Sequence, residues 1–253
     1  MPVTVEVPES VDAVLGALGD GAVLLAGGTH VMPRITTEAH DVARLVSLRR
    51  AGLAGIAVEG RDVTIGAATT LRAVGADERL AFLKPVIESI ASPTIRNLAT
   101  VGGNLFVEQP YGDLAVALLA LDAQVDVAGG GLCGVGEIEP GSLVTAVRFA
   151  IPAEFRYTKA MRRRINSASI VTVAAVLGDD PRVALGGAGR TPVRSPAAEA
   201  VLAAGPLDRE RAEAAGRAAR EDAEPFTDAY ASAWYRARVL PVHVRRALIG
   251  EAA

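Results

Sequence analysis

Residues 94–113 read Thr-Ile-Arg-Asn-Leu-Ala-Thr-Val-Gly-Gly-Asn-Leu-Phe-Val-Glu-Gln-Pro-Tyr-Gly-Asp, with few bulky side chains where the backbone must turn and many hydrogen-bonding groups. Gly102 and Gly103 remove two consecutive Cβ atoms, so Thr100-Val101-Gly102-Gly103-Asn104 is expected to reach positive φ and to approach a ligand closely. Successive backbone N–H groups in such a turn make a concave anion site, and Thr100 and Asn104 add side-chain hydrogen bonds. A Gly-Gly turn alone is weak evidence, because most are plain turns.

A second copy of the device strengthens it. Residues 22–26 form an apolar run that reads as a short buried strand, and it enters Gly27-Gly28-Thr29-His30. Two anion-cradling loops in one chain suit two linked phosphates, hence a dinucleotide. Neither loop is Gly-x-Gly-x-x-Gly, and neither is followed by the Lys-Ser/Thr of a P-loop, so a Rossmann or P-loop fold is not the source.

Ala26-Gly27-Gly28-Thr29, Val63-Thr64-Ile65-Gly66-Ala67-Ala68-Thr69-Thr70, and Ile95-Arg96-Asn97 through Asn104 to Pro110 and Asp113 resemble the FAD-binding medium subunit of molybdenum hydroxylases, the carbon monoxide, xanthine, aldehyde and nicotine-type dehydrogenases. The resemblance continues through Tyr157-Thr158-Lys159, Thr191-Pro192-Val193-Arg194, Ser232, Tyr235-Arg236 and Arg245-Arg246-Ala247-Leu248, in family order over nearly the whole chain. It implies an α+β fold: a two-lobed PCMH-type FAD-binding domain over 1–152 (lobes about 1–55 and 56–152), then a smaller domain over 156–253 with a three-stranded sheet and helices.

It also implies function. FAD would receive electrons from [2Fe–2S] clusters on a small partner subunit, after substrate oxidation at molybdopterin on a large one. It would then pass them to NAD, a quinone or oxygen. The alternatives are a free-standing FAD-dependent reductase or oxidase, and a scaffold subunit without flavin. The resemblance and the loops together nominate Leu25, Ala26, Gly27, Gly28, Thr29, His30 and Val31 from the first loop, and Thr100, Val101, Gly102, Gly103 and Asn104 from the second. Asp113 could cap the following helix or accept hydroxyl protons from the ribose or ribityl chain. Lys159, on a strand, is placed by the resemblance near the flavin, where a cation would raise its potential. Tyr111 and Tyr157 are candidates to pack on the isoalloxazine ring, and Arg162-Arg163-Arg164 reads either as a solvated run or as a loop near the flavin.

Two departures from the family pattern stand out. His30 occupies a place usually small, polar or acidic and could bring positive charge or pH dependence. Glu108-Gln109 replaces small residues on a surface expected to border the flavin mouth, which bears on the electron acceptor.

Composition narrows the rest. Half of the 253 residues are apolar, only 4% are aromatic, and the net charge of −3 gives no reason to expect nucleic acid or an anionic membrane as partner. One cysteine, Cys133, cannot make an intrachain disulfide or hold an iron–sulfur cluster alone; His30, His40 and His243 are too dispersed for a structural zinc site. The N-terminus shows no secretory pattern, and the apolar run 114–121 is far short of the roughly 20 residues a bilayer span needs, so a soluble cytoplasmic protein is expected. Periodicity and turn residues predict strands at 4–7, 22–26, 44–48, a 55–66 hairpin turning at Gly60, 124–127 and 143–151, then 156–161, 170–177 and 182–185. Helices are predicted at 11–18, after Thr69-Thr70, at 82–91, 114–121, 196–204, 208–221 and 231–248. Residues 129–136 read as a flexible connection and 153–155 as the domain boundary.

Overall fold

In the computed structural model, residues 3–37, 42–163 and 166–251 are described. The chain begins as predicted, with strand, helix and strand: β1 (Thr4–Glu6), α1 (Val11–Ala17), β2 (Ala22–Leu25), then α2 (Val31–Thr37) and β3 (Arg44–Ser47). The three strands are parallel in the order β1-β3-β2, so each link must cross over, and helices make the crossovers. Ser10 starts α1 by accepting the Ala13 N–H at 3.1 Å, and Val14 packs in a small core with Val46, Leu48 and Leu53.

Next come β4 (Ile56–Glu59) and β5 (Asp62–Gly66), a hairpin whose turn includes Gly60 at φ 62°. Five short helices follow: α3 (Leu71–Ala76), α4 (Lys84–Ser89), α5 (Pro93–Arg96), α6 (Val101–Leu105) and α7 (Asp113–Ala120). The helix predicted over 82–91 is divided. A 3-10 segment, Glu78–Leu83, gives way to α4, which restarts with Pro85 in its first turn, where a missing N–H costs nothing. Then β6 (Gln124–Val127), β7 (Gly131–Gly134) and β8 (Val144–Ala150) complete an antiparallel sheet in the order β4-β5-β8-β6-β7. The expectation of a flexible 129–136 segment is therefore corrected. Gly129 and Gly131, at φ 74° and 80°, shape a tight return that pairs β7 with β6.

The second half opens on β9 (Glu154–Met161), which starts inside the expected 153–155 boundary, and continues with β10 (Ser169–Leu177), β11 (Arg182–Gly186) and β12 (Val193–Arg194). The antiparallel sheet has four strands, not three; two-residue β12 is too short to leave a periodic signal. Helices α8 (Pro196–Ala203), α9 (Arg209–Ala218) and α10 (Ala233–Ile249) cover one face. Among the described residues no helix is long and apolar enough to cross a membrane.

The other face of this sheet is not solvated. Along β10, Val171, Val173 and Ala175 point to the helices, whereas Ala174 and Val176 join Ala184 in the same core as Leu114, Val116 and Leu118 of α7. A strand buried on both faces reads as a near-continuous apolar run, and residues 170–177 do so with Thr172 as the single interruption. Helix α7 lies very close to the sheet because Gly186 has no side chain. A Cβ there would sit 2.8 Å from Val116 Cγ2. The two halves thus share one core.

Arg236 secures α10. It is fully buried, donates to the carbonyls of Ser169 and Ile170, lies 4.6 Å from the Phe226 ring centroid, and pairs with Asp228 Oδ2 at 2.7 Å. Burial raises the Asp228 carboxyl, but N–H groups of Ala231 and Tyr230 and the Arg236 guanidinium together hold it below its ordinary 3.8. A depressed folded-state value means stability that is present above pH 3.8 and is lost as pH falls through the folded value. In urea titrations at a series of pH values, Asp228→Asn should lose about 3 kcal/mol near neutrality. Its stability should also fall less steeply than the parent's on acidification.

Candidate functional site

The two glycine segments lie against each other. A Cβ on Gly27 would fall 1.8 Å from the Leu98 carbonyl oxygen, and one on Gly103 would meet Ala26 Cβ at 3.8 Å. Gly27 is therefore required by backbone–backbone approach. Gly28 is required by conformation, with φ 70° in the left-handed region.

Their hydrogen bonding differs in a way the sequence does not reveal. Residues 101–105 are not a positive-φ turn, which corrects that expectation; they form α6, capped by the Thr100 hydroxyl accepting the Gly103 N–H at 3.2 Å. The Val101 N–H donates to Thr69 O, Gly102 to Ala67 O and Asn104 to Thr100 O, at 2.8–3.0 Å. These amides are engaged within the protein. Gly102 lacks a side chain because a Cβ would be 2.8 Å from Ala67 Cβ. In the first loop, by contrast, the N–H groups of Gly27, Gly28 and Thr29, three successive donors at the end of β2, are left without a protein acceptor among the described residues.

Beside this loop is a cavity of about 350 Å³ whose wall brings together Thr29 and His30, Asn104 and Asp113, and Lys159, from three remote segments. Leu25, Ala26, Gly27, Gly28 and Val31, and likewise Thr100, Val101, Gly102 and Gly103, are not on its wall. The Asn104 Oδ1 accepts the Leu114 N–H at 3.2 Å, and no protein acceptor takes its amide nitrogen among the described residues.

Asp113 and Lys159 form the floor. Gly112 is the N-cap of α7, so Asp113 is its first residue rather than its cap. Its Oδ2 accepts from Lys159 Nζ at 2.7 Å and its Oδ1 from the Thr172 hydroxyl at 2.7 Å; Nζ also donates to Ser89 O at 2.9 Å. Both side chains are under 5% exposed. Strand register explains the convergence, since Lys159 and Thr172 are direct cross-strand partners on the face toward α7. Burial pushes the Asp113 carboxyl above its ordinary range, against the downward pull of Lys159 and Thr172.

Other candidates fall differently. Tyr157 is not on the cavity wall; its hydroxyl bonds Ser89 Oγ at 2.8 Å, and burial, then the Asp113 charge, pushes it well above 10. Tyr111 and Arg163 are on the wall, Arg162 donates to Ala229 O at 3.5 Å, and Arg164 and His40 lie outside the described residues. Gln109 is a buried strut rather than part of a surface at the mouth, which corrects that expectation. Its Oε1 accepts the Gly187 N–H at 3.0 Å and its Nε2 donates to Gly112 O at 3.4 Å. Thr172, Ser89 and Tyr230 were missed. Thr172 carried a signal, being the one hydroxyl within the apolar run 170–177, where a buried hydroxyl must have a partner.

Lys159→Met should cost about 3–5 kcal/mol by leaving the Asp113 carboxylate uncompensated. Because burial raises this carboxyl, its protonation favours the folded state, so the variant should recover stability as pH falls from neutrality. Adding Asp113→Asn should restore much of the loss, measured as a double-mutant cycle in urea.

A family model described as the FAD binding domain in molybdopterin dehydrogenase matches residues 1–149, and one described as the CO dehydrogenase flavoprotein C-terminal domain matches 156–250. The carbon monoxide dehydrogenase medium chain of Afipia carboxidovorans is 31% identical, over 93% of this chain and 91% of its own. The 6-hydroxypseudooxynicotine dehydrogenase complex subunit alpha of Paenarthrobacter nicotinovorans is 30% identical, over 96% and 92%. Among solved structures, reconstituted CO dehydrogenase from Oligotropha carboxidovorans superposes with a TM-score of 0.89 at 30% identity, over 100% of this chain and 98% of that one.

Proposed function

The chain belongs to the family of FAD-binding subunits of molybdopterin-dependent dehydrogenases, and from that premise we propose that it binds FAD across the first glycine loop and the cavity and serves as the electron outlet of a molybdenum hydroxylase complex. The observation that carries the residue assignment is the row of unengaged N–H groups at Gly27, Gly28 and Thr29. Fixed amide dipoles neutralise a pyrophosphate without a lysine. The second segment supports them from behind through Gly103 and offers Asn104 as a direct donor.

Asp113 and Lys159 are on the cavity wall, so they are the groups expected beside the ring and its polyol chain, with Asp113 using the second lone pair on each oxygen. Bound FAD supplies the redox chemistry, which this chain's own side chains do not. The protein's work is to hold the cofactor, exclude water from its buried edge and place fixed charge beside it. Electrons would arrive from a small [2Fe–2S] subunit, with molybdopterin on a large subunit, and leave to NAD, a quinone or oxygen. The lone Cys133 agrees with clusters residing elsewhere. Residues 1–152 would bind the dinucleotide, and 156–253 would close the site and carry Lys159.

Titration of the purified chain, followed by quenching of flavin fluorescence and repeated with co-expressed partner subunits, should show one FAD per chain and no competition by FMN. Gly28→Val should weaken FAD binding at least tenfold with circular dichroism unchanged, since a side chain at φ 70° costs about 1–2 kcal/mol and crowds the cradle. A folded Gly28→Val protein retaining the parent's affinity would overturn the pyrophosphate assignment.

A further inference from the structure

Two tyrosines close one side of the cavity, and the cofactor assignment uses neither as a bond. Tyr111 precedes α7 and Tyr230 precedes α10. Their hydroxyl oxygens are 2.6 Å apart, with rings perpendicular and centroids 5.8 Å apart. Both line the cavity, and Tyr111 is 46% exposed, so the pair stands at the rim where the cavity meets solvent. The bond also crosses from one half of the chain to the other.

It is not needed to hold either segment in place. The Tyr111 loop is already fixed to the four-stranded sheet by Gln109 on the Gly187 N–H and by the Ser169 hydroxyl on Pro110 O at 2.7 Å. Tyr230 is fixed by its own N–H on Asp228 Oδ1 at 2.8 Å, and Asp228 is paired with buried Arg236. With both backbones anchored, the side chains alone can part, and rotation of exposed side chains is fast. Burial, then the Tyr230 hydroxyl, pushes the Tyr111 phenol up to about 12, so Tyr111 stays neutral at physiological pH.

We propose that the Tyr111–Tyr230 hydroxyl bridge is a clasp across the cavity mouth, whose opening by side-chain rotation controls how readily small molecules in solution reach the Asp113–Lys159 floor. This rests on the cavity and the anchored loops, and holds whichever ligand the cavity takes.

The chain carries its own reporter. Lys84 and Lys159 are its two lysines; the Lys84 side chain is 58% exposed, and Lys159 is on the cavity wall at 4%. Brief acetylation of the full chain with acetic anhydride, read by mass spectrometry as the Lys159 rate relative to Lys84, therefore measures access through the mouth. Tyr111→Phe and Tyr230→Phe each keep the ring and delete the bond. Each should raise the ratio about two- to tenfold, the equilibrium effect of one hydrogen bond. The double variant should rise no further than either single one, because the same bond is lost. An unchanged ratio in both single variants would overturn the clasp. So would additive effects, or a rise that climbs steeply with urea, the mark of global unfolding. Failure of FAD to bind would leave this measurement intact and count only against the cofactor reading.

Discussion

Lys159 and Asp113 meet at 2.7 Å with almost no access to water, one on β9 and the other at the start of α7. Removing two charges from water costs several kcal/mol each, and their attraction offsets that only when further hydrogen bonds complete the arrangement. Here they do, with Ser89 O on the ammonium and the Thr172 hydroxyl on the carboxylate. The pair can form only when β9 and β10 are in register and α7 lies directly on them, which Gly186 permits. A one-residue slip of β9 would turn Lys159 to the opposite face. Strand register, helix placement and the cavity floor are therefore one constraint.

That constraint explains why the site is built from both halves. The first half brings Thr29, His30, Asn104 and Asp113 to the cavity; the second brings Lys159, Arg163 and Tyr230. The apolar layer between them, Leu114, Val116 and Leu118 against Ala174, Val176 and Ala184, is continuous with the first half's core. Small residues on the sheet side let α7 approach closely, and dense packing of this kind moves as a body rather than deforming gradually. A ligand spanning the cavity would touch both halves at once.

The two Gly-Gly segments share a sequence signature but serve different physical ends. Gly27, Gly102 and Gly103 remove side chains where backbone or neighbouring atoms come too near, while Gly28 alone of the four adopts the left-handed conformation. The amides of Val101, Gly102, Gly103 and Asn104 have acceptors within the protein, whereas those of Gly27, Gly28 and Thr29 have none among the described residues. One segment leaves its amides unengaged, and the other packs against it through Leu98 and Gly103.

By itself the sequence determined the α+β class, the first strand–helix–strand unit, the Gly60 hairpin, most helices and the family, because these rest on local periodicity, capping residues and motifs read in order. It also named Thr29, Asn104, Asp113 and Lys159, which share a cavity wall. Only the tertiary structure decided which N–H groups stay free, since that depends on distant acceptors such as Thr69 O and Ala67 O. Gln109 looked like a surface residue until folding placed Gly187 against it, and β7 looked flexible until β6 gave it a partner. The Asp113–Lys159 and Tyr111–Tyr230 contacts join residues 46 and 119 positions apart. No local pattern encodes such separations; the packing of the four-stranded sheet on α7 creates them.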